Sequence, residues 1–114
     1  GMAPGEQVMA LYREALRARG VVDSRTLQER SDGERVRVAG WAVVRQRPPT
    51  AKGHLFITLE DEEGLMNLIV RPDVYERYRA VLRDTPLLWV EGRLQREGQV
   101  LSILVHSAAA LGQT

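Results

Sequence analysis

The sequence predicts a small all-β barrel of five strands, with one helix between the third and fourth strands and another helix ahead of the first. Three observations carry that prediction. Five strand-like runs follow Glu34, and in the first three apolar residues alternate with period two. Between the third and fourth runs the spacing changes to that of a helix, over residues 73–83. Turn-forming stretches bound the runs: Ser31-Asp32-Gly33, Asp61-Glu62-Glu63-Gly64 and Glu97-Gly98.

Taken in order, residues 5–19 read as the first helix. Val8, Met9, Leu11, Tyr12, Ala15 and Leu16 recur at three- and four-residue steps, with Arg13, Glu14 and Arg17 opposite. Gly20, after a basic last turn, is a suitable stop. Residues 21–33 are polar and read as a lead-in. In the first strand Val36, Val38, Ala42 and Val44 are expected inside, alternating with Arg35, Arg37, Trp41 and Arg45, and Gly40 marks a bend or bulge. In the second, Leu55, Ile57 and Leu59 point inward, which leaves His54, Phe56 and Thr58 outside. In the third, Met66, Leu68 and Val70 point inward, and Asn67, Ile69 and Arg71 outward. Pro72 suits the first position of a helix. The stripe Val74, Tyr75, Tyr78, Val81 and Leu82 then closes the barrel as a plug, and Pro86 ends that region. Strands over Leu87–Arg96 and Gln99–His106 complete the set. The expected organisation is a helix and lead-in over 1–33, a barrel domain over 34–107 and a tail over 108–114.

Five strands with a helix between the third and fourth is the layout of the OB-fold, a Greek-key barrel. An SH3-like five-stranded barrel is the competitor, and full helical turns at that one position favour the OB-fold. Its binding surface lies on strands 2 and 3, flanked by the loops joining strands 1–2 and 4–5.

Composition removes several function classes. The chain has 114 residues, 44% hydrophobic and 27% charged, which suits one globular domain. It holds no cysteine, so disulfides, thiolate chemistry and cysteine-ligated zinc are excluded and a reducing, cytoplasmic setting is expected. The opening GMAPGEQ lacks the parts of a signal peptide. No apolar run is long enough to span a bilayer. Neither phosphate-loop nor nucleophile-elbow motifs occur, and His54 and His106 have no metal-ligand spacing. Glu60 to Glu63 read as the solvated end of a hairpin. No catalytic residue, metal, cofactor or small-molecule substrate is expected.

Net charge is only +1, so any case for a polyanion rests on where the charges lie. From Arg35 to His54 there are five basic residues (Arg35, Arg37, Arg45, Arg47, Lys52) and no acid. In an OB-fold the stretch RQRPPTAKGH, residues 45–54, is the loop joining strands 1 and 2. That brings Arg45, Arg47 and Lys52 toward Arg93 and Arg96 at the end of strand 4. Phe56, the only phenylalanine, lies on the outward phase between the loops, where an aromatic can stack on unpaired bases. His54, Thr58, Asn67 and Arg71 add polar contacts around it, and Trp41 is a second candidate platform. An apolar face on the first helix offers a different use of the same surface, as a cover for Phe56.

The segment RVRVAGWAVVRQRPPTAKGHLFITLEDEEGLMNLIV, followed by EGRLQREGQV, resembles the C-terminal OB domain of error-prone bacterial DNA polymerases of the polymerase III alpha-subunit type. The resemblance covers roughly residues 20–107 and is most specific in Arg45-Gln46-Arg47-Pro48, Thr50-Ala51-Lys52-Gly53 and Phe56 to Asp61. FITLEDEEGLMNLIV is also similar to OB domains that bind tRNA anticodons. There the residue matching Phe56 stacks on a base. The pattern departs at Pro49, where a glycine is expected, and at Trp41, where a smaller aliphatic is expected. The resemblance implies contact with single-stranded template DNA during replication, repair and synthesis past damage, by a fragment that carries no polymerase catalytic site. Other replication or repair proteins are implied partners. A protein-interaction module and an RNA- or tRNA-binding domain are the rival readings.

Overall fold

Two helices precede the barrel in the computed structural model, which describes residues 4–111. They are α1 (Pro4–Ala18) and the single-turn α2 (Ser24–Leu27). The strands are β1 (Arg35–Gln46), β2 (Leu55–Glu60), β3 (Leu65–Val70), β4 (Leu87–Glu97) and β5 (Val100–Ala110). Two short helices, α3 (Pro72–Arg77) and α4 (Arg79–Asp84), lie between β3 and β4. The strands close into a barrel in the order β1-β2-β3-β5-β4. Only β3 and β5 run parallel. The first half of β1 pairs with β4 and its second half with β2, so one long strand closes the barrel. That order, with helices between β3 and β4, is the OB topology.

Alternation sorts β2 and β3 as their side chains demand. Leu55, Ile57, Leu59, Met66, Leu68 and Val70 are all buried. They meet Val36, Val38, Leu88, Val90, Leu94, Ile103 and Val105 in one core. The expected single helix over 73–83 is broken at Tyr78, whose φ of −117° and ψ of 26° leave the helical region. Both pieces still plug the barrel, through Val74, Tyr75 and Leu82. The lead-in is also more structured than its polarity suggests. Asp23 caps α2 by accepting the Thr26 amide (2.6 Å), and Leu27 is buried in the core. At the other end β5 runs on to Ala110, so residues 108–110, read as tail, are strand.

The first strand departs most from its expected phase. The β1–β2 register slips between Ala42 and Val44, a bulge at Val43 and not at Gly40. An extra residue there turns the rest of the strand over. Val44 is exposed instead of buried, and Arg45 falls opposite Ile57, on the inward phase. Gly40 serves a different need: a Cβ there would sit 2.7 Å from the Glu60 carbonyl oxygen where β1 crosses β2. Gly92 is tighter still. A Cβ would lie 2.2 Å from the Leu104 carbonyl oxygen and 2.9 Å from Ile103 Cγ2. Gly92→Ala is therefore expected to destabilise the domain by about 1–3 kcal/mol or more, through forced backbone separation at the β4–β5 register shift. Urea unfolding measures it, and a change within about 0.5 kcal/mol would contradict the crowding.

Helix α1 packs on the outside of the barrel. Met9, Leu16, Val21 and Ala39 form a second small core, against which Tyr12, Leu87, Trp89 and Leu111 are packed. Just after the helix, the Arg19 guanidinium stacks over the Trp89 ring at 4.3 Å. The helix thus covers the β1–β4 end of the wall and leaves the outer side of β2–β3 open.

Candidate nucleic-acid interface

The outer side of β2–β3 is built from cross-strand rows. One runs Gln46–Phe56–Ile69–Leu104 and a second runs Val44–Thr58–Asn67–Ser102. The first row is apolar at its centre and the second is polar apart from Val44. Phe56 stands 36% exposed, with Ile69 half-buried beside it. Asn67 donates from Nδ2 to the Leu101 carbonyl at 3.3 Å, which holds its amide at the face. Trp41 is half-buried between Glu60 and Leu87, one row beyond the polar one. Val44, Gln46, Ser102 and Leu104 were missed as face residues by sequence reading. The bulge hid the first two, while alternation along β5 was the signal that could have found the others.

The loop from Arg45 to His54 divides its cations. Arg45 donates from Nε to the Leu82 carbonyl at 2.7 Å and from Nη2 to the Thr85 carbonyl, so its guanidinium closes the C-terminal end of α4. Arg47 stacks over the Tyr75 ring at 4.4 Å and stays exposed. After a 3₁₀ turn over Pro49–Ala51, Lys52 adopts a left-handed backbone (φ 54°) and is exposed. His54 Nδ1 lies 2.8 Å from the Ala51 carbonyl oxygen, which fixes the ring inside the loop. Arg71 is exposed beside Asp73 at 3.7 Å.

At the β4–β5 end Arg96 is spent on the protein itself. Its Nε donates to the Arg30 carbonyl (3.0 Å), its Nη2 to the Gln28 and Arg30 carbonyls, and its amide to Asp32 (2.7 Å). The expected partnership of Arg96 with Arg45, Arg47 and Lys52 is replaced by a clasp on residues 28–32. Arg93 is exposed, with Nη1 donating to the Gly33 carbonyl at 2.9 Å. The structure therefore brings Phe56, Thr58 and Asn67 together on one face and sets Arg47, Lys52, Arg71 and Arg93 as its exposed cations. Arg45 and Arg96 are tied to backbone carbonyls instead.

The acidic turn is not a solvated end. Asp61 is fully buried, and its carboxylate accepts from Ser24 N (2.7 Å), Ser24 Oγ (2.6 Å), Glu63 N (2.9 Å) and Gly64 N (3.0 Å). Arg13 of α1 forks onto Glu62, Nε to Oε2 and Nη2 to Oε1 at 2.8 Å, with Asp61 at 3.6 Å. Burial pushes the Glu62 carboxyl up, but the hydrogen bond and charge of Arg13 outweigh it and hold Glu62 below the ordinary carboxylate range. Because the folded value is depressed, this stabilisation is present above the unfolded value of about 4.3 and is lost as pH falls through the folded one. The stability gap between wild type and Glu62→Gln should thus be largest near neutral pH and shrink below about pH 4. Urea unfolding at both pH values checks this, and a constant gap would contradict it. Among the described residues no group of three or more His, Cys, Asp or Glu side chains is placed to hold a metal ion.

Comparison with known proteins bears on this face. A family model for OB-fold nucleic acid binding domains, of the tRNA anti-codon type, matches residues 36–110, and the chain belongs to that family. It is similar to the error-prone DNA polymerase of Anaeromyxobacter dehalogenans (strain 2CP-C), 45% identical over 111 residues, 97% of this chain and 10% of the polymerase. The error-prone DNA polymerase of Pseudomonas aeruginosa is 45% identical over 104 residues, 91% of this chain and 10% of the polymerase. The chain thus spans about a tenth of the length of these curated relatives. Among solved structures, asparaginyl-tRNA synthetase from Pyrococcus horikoshii with asparaginyl-adenylate superposes with a TM-score of 0.67 at 19% identity. That match covers 80% of this chain and 22% of the synthetase, a likeness of fold. No helix of the described residues is long and apolar enough to cross a membrane.

Proposed function

We propose that this domain binds single-stranded DNA without strong sequence preference, as part of a cytoplasmic error-prone DNA polymerase of the polymerase III alpha-subunit type. In that setting it contacts template strand during synthesis past damage, alongside other replication and repair proteins. The barrel would occupy residues 34–110, with the helix and lead-in before it. Phe56 stacks on a base, with Thr58 and Asn67 offering polar contacts and His54 holding the loop beside them. Arg47, Lys52, Arg71 and Arg93 meet backbone phosphates. The observation that carries this reading is exposed Phe56, beside half-buried Ile69, at the centre of a face that α1 leaves open. An aromatic kept at a surface between cations suits unpaired bases, because stacking tolerates any base and the cations track the backbone.

Fluorescence anisotropy of labelled oligo-dT tests it. Binding should be measurable at low salt, fall steeply as salt rises, and exceed binding to duplex of the same length. Absence of binding at low salt, or equal preference for duplex, would overturn the reading. The anticodon-type family match favours one alternative, RNA binding. Tighter binding to oligo-rU than to oligo-dT is the result that would select it, since only RNA carries a 2′-hydroxyl.

A further inference from the structure

The apolar row through Phe56 does not stop at β3. Register carries it on to Ile69, Leu104, Arg93 and Arg35. With neighbouring strands about 4.8 Å apart, Arg93 lies roughly 14 Å from Phe56 along the surface and Arg35 roughly 19 Å. Both arginines are exposed and stand directly opposite each other in the β1–β4 pair. Like charges so placed repel.

Little around them cancels that repulsion. Glu91 is shared between Arg35 (3.4 Å) and Arg37 (3.3 Å). Arg93 has the Gly33 carbonyl, and no carboxylate within ion-pair distance among the described residues. Nearby acids are engaged elsewhere: Asp32 accepts the Arg96 amide and Glu34 faces Arg30 at 3.4 Å. Helix α1 ends short of the pair, where the Arg19 carbonyl accepts from Arg37 Nη1 at 3.1 Å. A shallow depression beside Arg93 is walled by Gly33, Gln95 and Leu104, with Asp32 and Glu97 toward the β4–β5 turn. Those acids repel a polyanion from the turn side, whereas Glu91 on the Arg35 side is shared between two arginines.

We infer that Arg35 and Arg93 form a phosphate clamp that extends the bound strand from the Phe56 platform across β5 to the β4–β1 seam. The backbone then runs across the strands and not along the β2–β3 hairpin. An anion between the two guanidiniums removes their repulsion, so the free domain carries a standing electrostatic cost that binding relieves. The inference rests on the single-stranded DNA reading of the Phe56 face.

The test compares oligo-dT of about 4 and about 12 nucleotides, spanning the usual site sizes of one OB-fold, over a salt series. The variant Arg35→Gln should leave binding of the short oligomer unchanged. For the longer one it should reduce the slope of log affinity against log salt by about 0.7, one contact on a single strand. Arg35→Lys should keep the wild-type slope. The double variant Arg35→Gln/Arg93→Gln should reduce the slope with the longer oligomer by about 1.4, two contacts at about 0.7 each. An unchanged slope with the longer oligomer, or equal losses at both lengths, overturns the clamp. Binding of neither oligomer by wild type overturns the Phe56 reading and the clamp with it.

Discussion

Phe56→Ala is expected to weaken oligo-dT binding by about 5- to 140-fold, the loss of one base stack at about 1–3 kcal/mol. The effect should appear in affinity with the salt slope unchanged, because stacking contributes no counterion release. Phe56 is already 36% exposed and sits opposite Ile69 and Gln46, outside the barrel core. Truncation should therefore cost the fold little, and the thermal midpoint should move by only a few degrees. Phe56→Trp keeps a stacking surface and should retain most of the affinity. Anisotropy titrations of the three proteins decide the matter. Equal affinity of Phe56→Ala and wild type would remove Phe56 from the interface and leave the face to a protein partner.

The largest effect on stability is expected at Asp61. Its carboxylate is wholly buried and accepts four hydrogen bonds, two of them from Ser24 at the start of α2. Asp61→Ala leaves the Ser24 amide and hydroxyl without their acceptor, and removes one of the two carboxylates facing buried Arg13. Breaking such a network costs about 3–5 kcal/mol, which for a domain of this size lowers the melting temperature by roughly 12 °C or more. Glu63→Ala, an exposed change in the same turn, should move it by less than about 2–4 °C. Thermal unfolding of the two variants checks the contrast. Similar small shifts for both would mean the turn is solvated after all.

These two residues differ in how far the sequence revealed them. The position of Phe56 was legible because Leu55, Ile57 and Leu59 can only be buried together, which forces Phe56 to the other side. Whether it was open or covered was not legible, since α1 carries an apolar face that suited either wall of the barrel. Asp61 was misread because a run of four acids has the pattern of a solvated turn. Only when α1 and α2 fold back do Arg13 and Ser24 reach it from far along the chain. Arg96 shows the same limit. Composition marks it as a cation beside a groove, while the carbonyls that occupy it belong to Gln28 and Arg30.

Taken by itself, the sequence determined the number and order of strands, the inward sets of β2 and β3, and the helical plug between β3 and β4. Those follow from periodicity and residue type, which act locally along the chain. The tertiary structure alone decided the bulge that turns Arg45 inward, the wall that α1 covers, the burial of Asp61, and the meeting of Arg35 with Arg93. Each depends on which groups converge from distant parts of the chain. A one-residue slip in a strand, or a carbonyl arriving from another segment, leaves no mark in the local pattern that could announce it.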